Sequence, residues 1–165
     1  MQTSSLLRTL FEYKAWANGD LLAAVGALSE PSLADARRDA IRILTHVLVV
    51  DLIFQANMQC HPHSYTALNR RNKPDLDALK EEVRALDRWY LGYVESLDEI
   101  ALKEVVDFIF VDGSPGRMSR AEMLLHVAIH GNYHRGAVGR ILSQASVPLP
   151  RDTLTVFLHP REPGA

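Results

Sequence analysis

Apolar side chains recur at steps of three and four along four separate segments, and that period commits the chain to packed helices. The first segment runs from about Ser5 to Leu28, where Leu6, Leu10, Tyr13, Ala17, Leu21, Ala24 and Leu28 trace one stripe. It stops before the breaker run Ser29-Glu30-Pro31-Ser32. The second runs from about Asp35 or Asp39 to Met58, with Ile41, Thr45, Leu48 and Leu52 in a stripe thickened by Leu44, Val47 and Phe54. Its middle is apolar nearly all round, so it is expected at the centre of the fold. Cys60 to Pro74 is too polar and proline-broken to be helical throughout. Asp75 then caps a third helix carrying Leu76, Leu79, Val83, Leu86, Tyr90, Val94 and Leu97.

The period changes between Lys103 and Ser119. Val105, Asp107, Ile109 and Val111 alternate with other residues, β-branched side chains are frequent, and Asp112-Gly113-Ser114-Pro115-Gly116 supplies turn chemistry, which predicts a short hairpin or extended excursion. Ser119-Arg120-Ala121-Glu122 has the form of a capping box, in which serine and glutamate side chains satisfy each other's free backbone N–H groups. It opens a fourth helix to about Ala145. A proline-marked tail follows, and its Leu154, Phe157 and Leu158 are placed to fold back over the bundle. The expected fold is an all-α four-helix bundle, one domain over residues 1–165, in which the long second connection and the hairpin allow non-adjacent helix order.

Composition bounds the partners. Of 165 residues, 47% are hydrophobic, enough to bury a substantial core, and the net charge is −2 with scattered lysines and arginines. No phosphate-backbone footprint is present, so nucleic acid is not an expected partner. One cysteine, Cys60, excludes an internal disulfide framework and, with an N-terminus lacking a signal-peptide pattern, points to a reducing cytoplasmic setting. The longest apolar run is broken at Asp51, so no membrane span is expected.

The fourth helix contains His126-Val-Ala-Ile-His130-Gly-Asn-Tyr-His134-Arg-Gly136. At 100° per residue the three histidines form a ladder, each about 40° round and about 6 Å above the last. A histidine pair at i and i+4 can converge on one divalent ion, whereas three spread over about 12 Å cannot. One of the three is therefore not a ligand. His126, at the end of the ladder, suits a neighbouring donor or pocket wall, although spacing alone leaves the choice of pair open. A third ligand has to come from a facing helix, and His46, in the apolar centre of the second, is the best candidate. His61, His63 and His159 fall in expected loops. A single histidine on an apolar face is ordinarily a hydrogen-bonded core residue; the grouping is what argues for a metal. Three protein ligands leave room for water or substrate, as in catalytic zinc sites, and either hydrolysis or thiol transfer could follow.

Leu44-Thr-His-Val-Leu-Val-Val-Asp51, Leu124 to Gly136, the opening Phe11-Glu-Tyr-Lys-Ala-Trp-Ala-Asn-Gly-Asp-Leu-Leu22 and the closing proline-rich segment before Asp152-Thr-Leu-Thr-Val-Phe-Leu158 together resemble the DinB-like (DinB/YfiT) metalloproteins over nearly the whole chain. The resemblance implies a four-helix bundle holding one divalent ion, zinc or nickel, on His46, His130 and His134. It further implies transfer or isomerisation chemistry with a low-molecular-weight thiol such as bacillithiol, mycothiol or glutathione. Tyr133 before the last histidine and Ala137, where the family commonly has glutamine, depart from the pattern without touching a ligand.

Other residues have quieter readings. Arg135 is expected to make a structural ion pair, with binding of a substrate carboxylate as the sharper alternative. Asp51 must pair with a base, order a ligand histidine or face solvent. Glu122 is a capping residue before it is a catalytic base, and Trp16 is core packing. Tyr133 and Asn18 are pocket candidates. Cys60-His61-Pro62-His63 is read as an incidental loop. The functional expectation is a thiol-dependent S-transferase or isomerase; the alternatives are a metal-dependent hydrolase of a small molecule, or a non-catalytic metal-stabilised binding protein that forms a homodimer.

Overall fold

The computed structural model describes residues 3–72 and 74–160. Four long helices dominate: α1 (Thr3–Gly26), α2 (Ala34–Met58), α3 (Leu76–Ser96) and, after a short helix α4 (Glu99–Lys103) and a hairpin of β1 (Val105–Ile109) and β2 (Pro115–Ser119), α5 (Arg120–Gln144). A final short helix, α6 (Leu154–Leu158), closes the described chain. A single 3-10 turn, Pro31–Leu33, precedes α2.

Helix α1 packs mainly on α3 and α5, and α2 on α5 and α3, so α1 and α2 lie diagonally across the bundle rather than side by side. The centre is filled by Phe11, Leu48, Tyr90, Met123 and Val127 from all four helices, with Phe11 and Tyr90 stacked at 5.1 Å. Helix α2, with the turn before it, is apolar and long enough to cross a membrane by length and mean hydropathy (1.4); two thirds of the qualifying window is buried, so the bundle core accounts for that apolarity. This amends the expectation drawn from the broken run at Asp51, which looked only at uninterrupted residues.

The local signals at helix starts act as expected. Asp75 accepts from the Ala78 N–H at 2.8 Å, and Ser119 with Glu122 completes a capping box. Helices α2 and α5 both end in a pattern that normally uses glycine. His61 N–H bonds to the Ala56 carbonyl and Cys60 N–H to Asn57; likewise Val147 bonds to Leu142 and Ser146 to Ser143. The left-handed positions are Cys60 (φ 55°) and Ser146 (φ 57°), neither of them glycine.

Two faces differ from the sequence reading. In α1 the buried side is Leu7, Phe11, Lys14, Asn18, Leu21 and Val25, while Leu6 is 51% exposed. Tyr13, Ala17, Leu21 and Leu28 of the expected stripe are buried, but the inward face is wider than that stripe and also takes in Leu7, Phe11, Lys14, Asn18 and Val25, where a lysine and an asparagine broke the apolar pattern. In the hairpin, Val106 and Phe108 point inward whereas Val105 and Ile109 face out. Phe108 pairs with Gly116, where a Cβ would stand 2.5 Å from the phenylalanine ring, so any larger residue at that register position would have to displace the ring. The tail folds back as expected, and of its three apolar residues Phe157 makes the aromatic contact. Its ring lies 6.0 Å from Tyr13 and 5.6 Å from Trp16, and Leu154 and Leu158 stay largely exposed.

Candidate metal centre

Antiparallel packing of α2 on α5 sets His46 against the middle of the histidine ladder. His46 Nε2 lies 3.2 Å from His130 Nε2, and one ligand nitrogen from each of His46, His130 and His134 falls within 4.8 Å of the others. Two nitrogens sharing one ion at about 2.1 Å in a tetrahedral arrangement stand about 3.4 Å apart, so the spacing suits a common ion. The loop after α2 fixes the His46 ring: its Nδ1 lies 2.7 Å from the Leu68 carbonyl, which can only accept. Nδ1 therefore carries the proton, and Nε2 presents its lone pair to the cluster.

A hydrogen bond between His46 and His130 would satisfy two rings and leave the convergence of a third unexplained; a shared ion accounts for all three. His130 and His134 also resist protonation. Burial, followed by the neighbouring His134, His46, His126 and Lys14, pushes the His130 pKa down to about 3. Burial and then His46 lower that of His134. Neutral imidazoles are the form a metal binds. His130 Nδ1 is buried with no hydrogen-bond partner among the described residues. The residues fit a divalent ion, and all three are only partly buried, which leaves the group accessible from solvent.

His126 is not in this group. It stacks on Phe54 at 4.6 Å and on His130 at 5.6 Å, forming a wall beside the cluster. Tyr133 is 75% exposed, with its ring edge-on to His134 at 5.2 Å. Among the described residues Cys60, His61 and His63 form no three-residue ligand group.

Arg135, Asp51 and Asn18 belong to a buried polar network behind the histidines. Lys14, 2% exposed, reaches from α1 between two carboxylates, with Nζ 2.9 Å from Asp51 and 2.7 Å from Asp87. Asn18 donates to Asp87 at 2.9 Å, and Arg135 Nε donates to Asp152 at 2.7 Å. Asp152 also accepts from the Tyr13 hydroxyl. Burial works against the Lys14 ammonium, yet Asp51 and then Asp87 outweigh it and hold its pKa above the ordinary lysine value. Burial raises the Asp51 carboxyl to about 6 against the pull of Lys14. Asp51 thus pairs with a base, the first of its three expected roles, and Arg135 makes the structural ion pair. None of these side chains hydrogen-bonds a cluster histidine.

Lys14, Asp87 and Asp152 carry this network and were missed in the sequence. Lys14 and Asn18 lie three and seven residues after Phe11, on the helix face that carries Leu7 and Leu21, and that spacing was the available signal.

The chain was compared with known proteins. No curated protein and no solved structure matches it significantly. A protein-family model, DinB family, matches residues 1–165, and with the bundle and its three-histidine group in view the chain belongs to the DinB family.

Proposed function

We propose that this protein is a divalent-metal-dependent enzyme that uses a small thiol for S-transfer or isomerisation of a second small molecule, with His46, His130 and His134 as the metal ligands. The observation that carries the reading is the convergence of three imidazoles, 3.2 Å apart at their closest, in a group that includes no carboxylate or cysteine. An ion held there would ionise a coordinated thiol outright or acidify a coordinated water, and three protein ligands keep a position open for it.

The absence of a carboxylate from the group favours the thiol. Coordination by itself suffices to ionise a thiol, whose free pKa is about 8.5, so no protein base is needed. The buried acids Asp51 and Asp87 are held by Lys14 and are not free to take a proton from a substrate. Leu68 keeps the His46 ring in its ligating tautomer, and His126, packed on Phe54, lies against the His130 ring.

The test is spectroscopic. Cobalt- or nickel-substituted protein titrated with glutathione and cysteine is expected to develop a sulfur-to-metal charge-transfer band that is absent from His130→Ala. A spectrum unmoved by either thiol contradicts the reading, and turnover of ester or amide substrates without thiol would replace it with hydrolysis.

A further inference from the structure

Helix α5 carries a face that the bundle does not use. Glu122 and Arg140 stand about five turns apart on one line, and Leu125, Ile129, Tyr133 and Gly136 all fall within about 60° of it. Every residue of this stripe is exposed, Leu125, Ile129 and Tyr133 by 47%, 59% and 75%. No charged side chain stands on the face between its two ends. A hollow of about 250 Å³ joins Ile129 to Leu10 of α1 and Leu154 of α6, and the exposed Leu6 and Leu158 lengthen the apolar surface by one turn on each of those helices. An apolar surface that runs unbroken over three helices marks an interface, whereas apolar residues scattered singly do not.

We propose that two copies of this chain pair through this face, α5 lying antiparallel on the partner's α5 about a two-fold axis level with Gly131. The charges set both the occupant and its direction. The stripe is acidic at its N-terminal end and basic at its C-terminal end, so a second copy complements it when the two helices run in opposite senses and sets like charges together when they run in parallel. In the antiparallel register paired positions lie equally far from residue 131. Glu122 then meets the partner's Arg140 at both ends of the contact, Ile129 meets the partner's Tyr133, and Gly136 meets the partner's His126.

Both charged groups are available for this. Arg140 makes no ion pair among the described residues, and the capping box engages only Oε2 of Glu122. A Cβ at Gly136 would meet nothing of its own chain, so the bare backbone there allows a close approach. The apolar side chains of the surface leave on the order of 600 Å² exposed per copy, and with the charged ends added this approaches the roughly 800 Å² per partner of a standard interface. The pairing does not rest on the metal reading, but it concerns the same helix. The Tyr133 ring stands edge-on to His134 at 5.2 Å, so the partner's α5 lies alongside each histidine group.

Sedimentation equilibrium of metal-free, full-length protein from about 1 to about 100 μM reads the mass and the dimer Kd. A species of twice the 18.5 kDa chain mass is expected. Ile129→Lys and Tyr133→Lys each set a charge in the apolar middle and are expected to raise Kd about a hundredfold or more with an unchanged far-UV circular dichroism spectrum, both side chains being exposed in the single chain. Glu122→Gln removes a charge while keeping a capping box, and Arg140→Gln removes its counter-charge. Each is expected to weaken the dimer about fivefold, and the double variant no more than either alone, because one pair is lost in all three. Any of the following overturns the proposal: a monomer throughout the concentration range, a dimer whose Kd neither lysine variant changes, or glutamine effects that multiply in the double variant.

Discussion

Replacing Lys14 by methionine isolates the buried charges behind the histidines. The substitution keeps most of the side-chain volume but removes the cation that lies 2.9 Å from Asp51 and 2.7 Å from Asp87. Breaking a buried ion pair from one side costs about 3–5 kcal/mol, because the remaining charge is left uncompensated. With two carboxylates sharing one lysine, a loss of about 4 kcal/mol at pH 8 is expected, a large part of a total stability of about 5–15 kcal/mol. The sign of the pH dependence follows from the carboxylates. In the wild type Asp51 is already raised to about 6 by burial, and without Lys14 it rises further. Between the unfolded value and the raised folded one, the native state binds more protons than the unfolded state, so the contribution improves as pH falls, by at most about 1.4 kcal/mol per pH unit for each proton. The deficit of the variant should therefore shrink between pH 8 and pH 5. Lys14 gives the opposite limb in the wild type. Its pKa is raised, so its contribution is complete below the ordinary lysine value and is lost only as pH rises through the higher folded one. Urea unfolding of both proteins with chelator present, at pH 5, 6.5 and 8, measures the difference free of metal linkage. A deficit below about 1 kcal/mol at pH 8, or one that grows on acidification, would refute the reasoning.

Two further outcomes come from the ends of the long helices and from the tail. Cys60→Gly and Ser146→Gly each relieve a left-handed non-glycine residue and are expected to stabilise the protein by about 1 kcal/mol, read as a higher urea midpoint with unchanged slope; a loss of stability in both would show that these turns carry no strain. Asp152→Ala removes the partner of the buried Arg135 and of the Tyr13 hydroxyl, at an expected cost of about 3 kcal/mol, with faster amide exchange in α6. Unchanged exchange there would mean that Phe157 alone holds the tail.

The sequence was most informative where one physical signal dominated. The stripe Leu76, Leu79, Leu86, Tyr90 and Val94 is buried as its period predicts, and the capping box at Ser119 starts α5 where it should. The ladder spacing with His46 led to the three-histidine group because ligand geometry needs few residues and fixed intervals. Reading failed where charge sits inside. Lys14, Asn18 and Asp87 are polar by composition and buried by pairing, and pairing between helices distant in sequence leaves no local trace. That is why the expected α1 stripe, though buried at Tyr13, Ala17, Leu21 and Leu28, left out Lys14 and Asn18 on the same inward side.

Metal content tests the central claim most directly. Protein purified without an affinity tag or chelator, measured by mass spectrometry beside His46→Ala, His130→Ala, His134→Ala and His126→Ala, is expected to carry about one equivalent of zinc or nickel that the first three variants lose and the fourth keeps. Absence of stoichiometric metal even after reconstitution, or loss confined to His126→Ala, would contradict the three-histidine site and leave the imidazoles as a hydrogen-bonded feature between α2 and α5.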